Sequence, residues 1–286
     1  MKNTDGGDGR VWLITGCSRG LGRTLAEAVL TRGDRLVATA RDAQSLEPLK
    51  QLAPQRVQTH ALDVNREDQV RAVVAAAIAA FGRIDVLVNN AGYGLAGAVE
   101  EVNDAEARAQ FETNVFGALS LTRAVLPQMR AQHSGHILQI SSAAGFVASP
   151  GLGLYNASKF ALEGYSEALA QEVAPLGIRV TIIQPGPFRT DWAGPSLLTP
   201  QHRIAAYADT AHKTIVTLNG YSGKQPGDPA RAAAAMIQVV EAERPPLRLP
   251  LGEGALGRIR AKLNSVSEEL TAWEALTLST SFPPGT

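Results

Sequence analysis

Cysteine is almost absent: the 286 residues contain one, Cys17. A single thiol excludes an internal disulfide framework and a cysteine-rich metal site. Net charge is absent too, since 27 Lys and Arg balance 27 Asp and Glu. With the signs mixed along the chain, nothing marks a nucleic-acid or anionic-membrane surface. Long hydrophobic runs are missing. The longest covers residues 72–81, too short to span a bilayer. The first ten residues, MKNTDGGDGR, lack the apolar stretch of a secretory signal. Residues 1–9 read as a disordered lead-in. The expectation is a cytoplasmic protein with no nucleic-acid, membrane or metal partner.

What is present is an ordinary globular composition, 45% hydrophobic and 19% charged. Short β-branched runs alternate with longer helical patterns. The strands expected are 11–15, 35–40, 57–62, 85–89, 136–141 and 179–184, with a last one at 247–251. Helical spacing is read over 21–31, 45–52, 67–81, 104–130, 154–173, 201–213, 229–243 and 254–276. Alternation of this kind predicts parallel βαβ units, a sheet covered by helices on both faces. Runs such as WLIT, DVLV and VTII are apolar throughout, as strands buried on both sides must be. No linker divides the chain, so 10–286 is read as one α/β domain. Its Pro-, Gly- and Thr-rich segment 190–228 is read as a substrate lid.

The first strand runs into Thr15-Gly16-Cys17-Ser18-Arg19-Gly20-Leu21-Gly22. Glycines let the backbone turn tightly and approach a pyrophosphate, and a helix N-terminus offers free N–H groups there. The plain alternative is an ordinary strand–helix turn. Arg41 follows the second strand directly and Arg19 lies in the first turn. Guanidinium forks suit a 2′-phosphate, so NADP(H) is expected over NAD(H). Asp42 stands next to Arg41 as a possible neutralising partner.

Tyr155 and Lys159 form a YxxxK pair at the start of a helix. Positions i and i+4 share a face, so phenol and ammonium can meet. An ammonium there favours the phenolate, making Tyr155 a candidate general acid or base. The bland alternative is a surface pair. Ser142 ends the strand HILQIS, at the carboxyl edge where open α/β sheets bind ligands. Asn89-Asn90-Ala91-Gly92 ends the fourth strand. Asn114 sits inside a helical pattern, where asparagine is unfavourable unless its amide is used.

Taken together, TGCSRGLG, NNAG, Asn114, Ser142, Tyr155 with Lys159, and Pro185-Gly186-Pro187-Phe188-Arg189-Thr190 resemble the short-chain dehydrogenase/reductase family. The likeness is close over residues 10–190. VATARD and LVNNAGYGLAGAVEE are similar to the branch holding 17β-hydroxysteroid-dehydrogenase-like members. The resemblance implies a single-domain Rossmann fold with a seven-stranded parallel sheet. It implies that Tyr155 exchanges the proton, Lys159 lowers its pKa and holds the nicotinamide ribose, Ser142 polarises the carbonyl, and Asn114 holds a relay water. It places Gly16, Ser18, Arg19, Gly20 and Leu21 on the pyrophosphate and adenosine side. Asp63 and Val64 meet the adenine, Asn90, Ala91 and Gly92 flank the cofactor, and Pro185, Gly186, Phe188 and Thr190 hold the carboxamide end. An arginine after the second strand marks the NADP-preferring branch. Homodimers or homotetramers pairing through 104–130 and 154–173 are also implied.

The reading is an NADP(H)-dependent oxidoreductase passing a hydride between nicotinamide and a ketone or secondary alcohol. Phe146, Val147, Leu152, Leu154, Trp192, Leu197 and Leu198, with Arg189 as the only cation, suggest an apolar pocket. The alternatives are a non-catalytic NADP(H)-binding sensor or scaffold, and an epimerase or dehydratase that retains NADP.

Overall fold

Seven short runs, most of them apolar and β-branched, become seven parallel strands. The computed structural model describes residues 9–194 and 196–282. Apart from Gly9, the expected lead-in lies outside the described residues. The strands are β1 (Val11–Ile14), β2 (Arg35–Ala40), β3 (Val57–Ala61), β4 (Val86–Asn89), β6 (Gly135–Ile140), β7 (Ile178–Pro185) and β9 (Arg248–Leu251), in the order β3-β2-β1-β4-β6-β7-β9. Two short strands, β5 (Gly94–Leu95) and β8 (Leu197–Leu198), pair separately outside this sheet.

The two-residue period of a strand sorts its side chains between two cores. Trp12 and Ile14 join Leu36, Ala38, Val86, Val88 and Leu138 on one face. Leu13, Val37, Leu87 and Ile137 point to the other. The first face is covered by α1 (Gly20–Thr31) and α8 (Pro229–Glu241), through Leu25, Val29, Ala233 and Met236. The second is covered by α3 (Glu67–Phe81), α5 (Ala118–Gln132) and α6 (Gly153–Val173), through Val70, Val74, Leu121, Val125 and Leu169. α2 (Glu47–Leu52) follows β2, and α4 (Asp104–Phe111) precedes α5. Asp228 caps α8, accepting from the Ala230 N–H at 2.8 Å, with Pro229 in its first turn.

Three elements differ from the periodic reading. The helix expected over 104–130 is interrupted by a π-helical segment, Glu112–Gly117, which carries Asn114. One widened turn re-aims a side chain without ending the rod. Of the helix expected over 201–213, residues 201–204 are irregular and Ala205–Tyr207 form a 3₁₀ turn. The α-helix there is α7 (Lys213–Gly220), preceded by short wide turns over Ala208–His212. The last helix, α9 (Glu253–Leu278), is longer than expected. No helix among the described residues is long and apolar enough to cross a membrane.

Candidate active site

The carboxyl ends of β1, β4, β6 and β7 open onto one cleft of about 920 Å³. Parallel strands place their following turns on one edge, so motifs far apart in sequence meet there. Gly16, Ser18, Arg19, Gly20, Leu21, Arg41, Asp63, Val64, Asn90, Ala91, Gly92, Ser142, Tyr155, Lys159, Pro185, Gly186, Phe188 and Thr190 all line it. Asn114 is the one expected site residue that does not; it stands just behind the wall.

The turn after β1 suits a pyrophosphate. Gly20 has φ +61°, a conformation that a side chain strains. Arg19 precedes α1 without a side-chain cap, and no acidic residue lies in the first turn. The helix therefore presents uncapped N–H groups and a positive dipole end to the cleft. Asn90 braces the turn, its Nδ2 donating to the carbonyls of Thr15 (2.8 Å) and Gly16 (3.1 Å). Asp42 does not neutralise Arg41. Its carboxylate accepts from the Gln44 N–H at 2.9 Å and caps the short turn Ala43–Leu46.

Tyr155 lies in the first turn of α6, 5% exposed, its ring 5.2 Å from that of Trp192 in the lid. Burial pushes its phenol up to about 12, opposed by a hydrogen bond with Ser142. The expected lowering by Lys159 is not what this arrangement shows. The ammonium lies 6.0 Å from the phenol ring centroid and donates to the Ile140 carbonyl at 2.7 Å. Desolvation of the ring therefore prevails. Lys159 is itself brought down to about 8 by burial, with Glu163 holding it up.

Gly92 completes this corner. A Cβ on it would sit 3.0 Å from Asn114 Oδ1 and 3.7 Å from Lys159 Nζ. The glycine thus leaves a cradle open between them, fit for the ribose of a dinucleotide. Asn114 acts through the backbone. Its Oδ1 accepts from the Tyr93 N–H (3.1 Å), and its Nδ2 donates to the Tyr93 carbonyl (3.0 Å) and Ser158 Oγ (3.2 Å).

Glu163, which periodicity alone did not single out, lies one helical turn beyond Lys159 and is 4% exposed. It accepts from Ser141 Oγ (2.7 Å), from Gln184 Nε2 at both oxygens (2.9 and 3.0 Å) and from Arg248 Nε (3.3 Å). Burial raises this carboxyl, while Gln184, Ser141 and Arg248 pull it back. Ser141 thus serves the carboxylate under Lys159, and its neighbour Ser142 faces the cleft.

The segment 190–228 supplies the far wall through Trp192, Ser196, Leu198, Leu218 and Tyr221. Of the apolar residues expected there, Leu152, Trp192 and Leu198 line the cleft; Phe146, Val147, Leu154 and Leu197 do not. Arg189 also turns away, donating to the Gln225 carbonyl at 3.2 Å. The cation at this end is Arg258 of α9, held by the Val147 carbonyl (3.2 Å) and Ser149 Oγ (2.9 Å). Glu101 ties the 190–228 segment to the body. It accepts from the Ile204 N–H (2.7 Å) and pairs with His212 Nε2 (2.6 Å), while its other oxygen accepts from the Ala98 N–H (2.9 Å).

Comparison with known proteins agrees with this geometry. The profile of the short chain dehydrogenase family matches residues 10–199. An oxidoreductase of Botryotinia fuckeliana is 40% identical over 277 residues, 94% of this chain and 98% of that one. A 3-ketodihydrosphingosine reductase of Bacteroides thetaiotaomicron is 37% identical over 246 residues, covering 85% and 88%. The crystal structure of a short-chain dehydrogenase from Streptomyces avermitilis superposes with a TM-score of 0.89 at 43% identity, covering 95% of this chain and 100% of that one. A Burkholderia phymatum relative was solved with NAD (TM-score 0.80, 26% identity, 92% and 95% covered). A metagenomic one was solved with NADP (0.67, 28%, 85% and 97%). With a nicotinamide-type cleft, the Tyr155–Lys159 pair and Ser142 at its mouth, the chain belongs to the short chain dehydrogenase family and is an oxidoreductase acting on CH–OH groups.

Proposed function

We propose that the protein is an NADP(H)-dependent reductase of apolar ketones, working in reverse on secondary alcohols. The observation that carries this reading is the state of Tyr155. A buried phenol held near 12 is protonated at neutral pH, so it stands ready to give a proton to a carbonyl oxygen. Ser142, whose hydroxyl lies beside that phenol at the cleft wall, would hold that same oxygen as negative charge develops. Lys159, largely an ammonium at neutral pH, keeps a positive charge 6.0 Å from the ring on which the phenolate's negative charge would appear.

The nicotinamide, when bound, supplies or accepts the hydride. Gly16, Ser18, Gly20 and Leu21 would hold its pyrophosphate, Asp63 and Val64 the adenine, and Pro185, Gly186, Phe188 and Thr190 the carboxamide end. Asn90, Ala91 and Gly92 flank the space between, and Lys159 reaches the ribose. Asn114 positions the peptide after Gly92. Arg41 and Arg19 both line the cleft and are exposed, which favours a 2′-phosphate and hence NADP(H). Leu152, Trp192, Leu198, Leu218 and Tyr221 favour a long apolar substrate. The name of the Bacteroides relative, a 3-ketodihydrosphingosine reductase, points the same way. Cytoplasmic residence and self-assembly belong to the same reading; exposed Phe116 and Phe160 mark the helical faces for pairing.

NADPH oxidation against a panel of long-chain, cyclic and charged ketones tests this. Turnover on apolar ketones, lost in Tyr155→Phe, is the expected result. Tight NADPH binding with no turnover on any carbonyl would transfer support to a sensor or scaffold.

A further inference from the structure

The C-terminal helix starts on the body and then leaves it. Ala255 and Ile259 are buried, and Lys262 and Val266 half-buried, the rhythm of one helix face. From 267 to 282 every residue is exposed. At 1.5 Å per residue, the helical part of this stretch projects about 18 Å.

Apolar residues recur along α9 at 256, 259, 263, 266, 270 and 273, in alternating steps of three and four. This seven-residue repeat is the seam of a helix that lies along another helix. The body takes Ile259 and part of Val266 and leaves Leu256 and the later leucines of the seam outside. Leu263, Leu270 and Trp273 are 53%, 66% and 65% exposed. Of 14 large apolar residues exposed among the described residues, seven lie at 256 or beyond. Exposure so concentrated marks an interaction surface.

The charges say what covers it. After Glu253 at its first position, the root of α9 carries Arg258, Arg260 and Lys262; the projecting part carries Glu268, Glu269 and Glu274. Apart from Arg258, none of these makes an ion pair or hydrogen bond to the body among the described residues. We infer that α9 is a self-association helix, in which two copies of this chain pair antiparallel along the seam. Root then faces tip twice over. A register with Leu256 beside Trp273 of the second copy and Leu263 beside its Val266 also brings Lys262 beside Glu269. Parallel pairing would oppose glutamate to glutamate. A lipid surface is the weaker fit, because membrane-lying helices carry Lys and Arg on the polar face and this tip is acidic.

Sedimentation of the full chain tests the pairing, with far-UV circular dichroism to check folding. Leu263→Glu/Leu270→Glu should halve the sedimenting mass while keeping the fold. Glu268→Lys/Glu269→Lys/Glu274→Lys and Arg260→Glu/Lys262→Glu should each halve it alone and regain the wild-type mass when mixed. An unchanged mass in the apolar variant overturns the inference. So does failure of the two charge variants to recover on mixing. Wild-type binding to phosphatidylcholine–phosphatidylserine vesicles that the apolar variant loses would replace the second copy with a lipid surface.

Discussion

In the proposed reduction, a phenol raised to about 12 and an ammonium lowered to about 8 would divide the work of proton transfer at neutral pH. Tyr155→Phe keeps the ring and its packing on Trp192 and removes the proton. It should cut kcat by roughly 10²- to 10⁴-fold, the usual worth of a general acid, with cofactor binding retained by fluorescence titration. Lys159 acts as the cation, so reduction should fall as pH rises through about 8. Glu163 holds that pKa up, and Glu163→Gln removes the support. The alkaline limb of kcat should therefore move to lower pH; a profile identical to the wild type would assign Glu163 a packing role only. Arg41→Ala should weaken NADPH binding roughly tenfold to a hundredfold, the worth of one or two charge-assisted hydrogen bonds, and leave NADH binding unchanged. Tyr155, Lys159, Ser142 and the glycine turn were legible because each stands at a fixed place in its element. Glu163 was not: on a helix wheel it reads as one more solvated acid. Only the crossing of β7 and β9 beneath α6 brings Gln184 and Arg248 to it.

Elements with a strong period declared themselves, and the sheet strands agree with the reading to within a residue or two. α1 and α8 owe their packing to a stripe of Leu25, Val29, Ala233 and Met236. Met236 is fully buried, and Met236→Ala should destabilise the chain by about 2–5 kcal/mol in urea unfolding. What escaped the reading were elements whose shape depends on contacts far along the chain. The wide turn at Glu112–Gly117 has an unremarkable helical pattern, yet its Asn114 is held by Tyr93, 21 residues earlier. The lid helix appears at 213–220 rather than 201–213. Glu101, more than 100 residues away, holds Ile204 and His212, and between them the chain runs through a 3₁₀ turn and a π segment instead of an α-helix.

Acid should act on the whole molecule through two buried groups. Burial, with Arg179 and Arg10 nearby, holds His136 down to about 4 from an ordinary 6.5. Its neutral form favours the fold, so this stability is complete above 6.5 and is lost as pH falls toward 4. At about 1.4 kcal/mol per unit the loss is on the order of 3 kcal/mol. Burial pushes Glu101 up, but the Ile204 N–H, His212 and the Ala98 N–H bring it down to about 2. Its contribution is complete above about 4.5 and disappears through 2. Melting temperature should therefore fall in two stages on acidification, the first one smaller in His136→Asn.

The α1–α8 packing also has a consequence for synthesis on the ribosome. The first helix is complete by residue 31, and the helix that covers its apolar side spans 229–241. Until those late residues have left the exit tunnel, Leu25 and Val29 face water beside a half-built sheet. For most of its translation the nascent chain thus displays an apolar surface prone to aggregation, which is covered only near the end of synthesis.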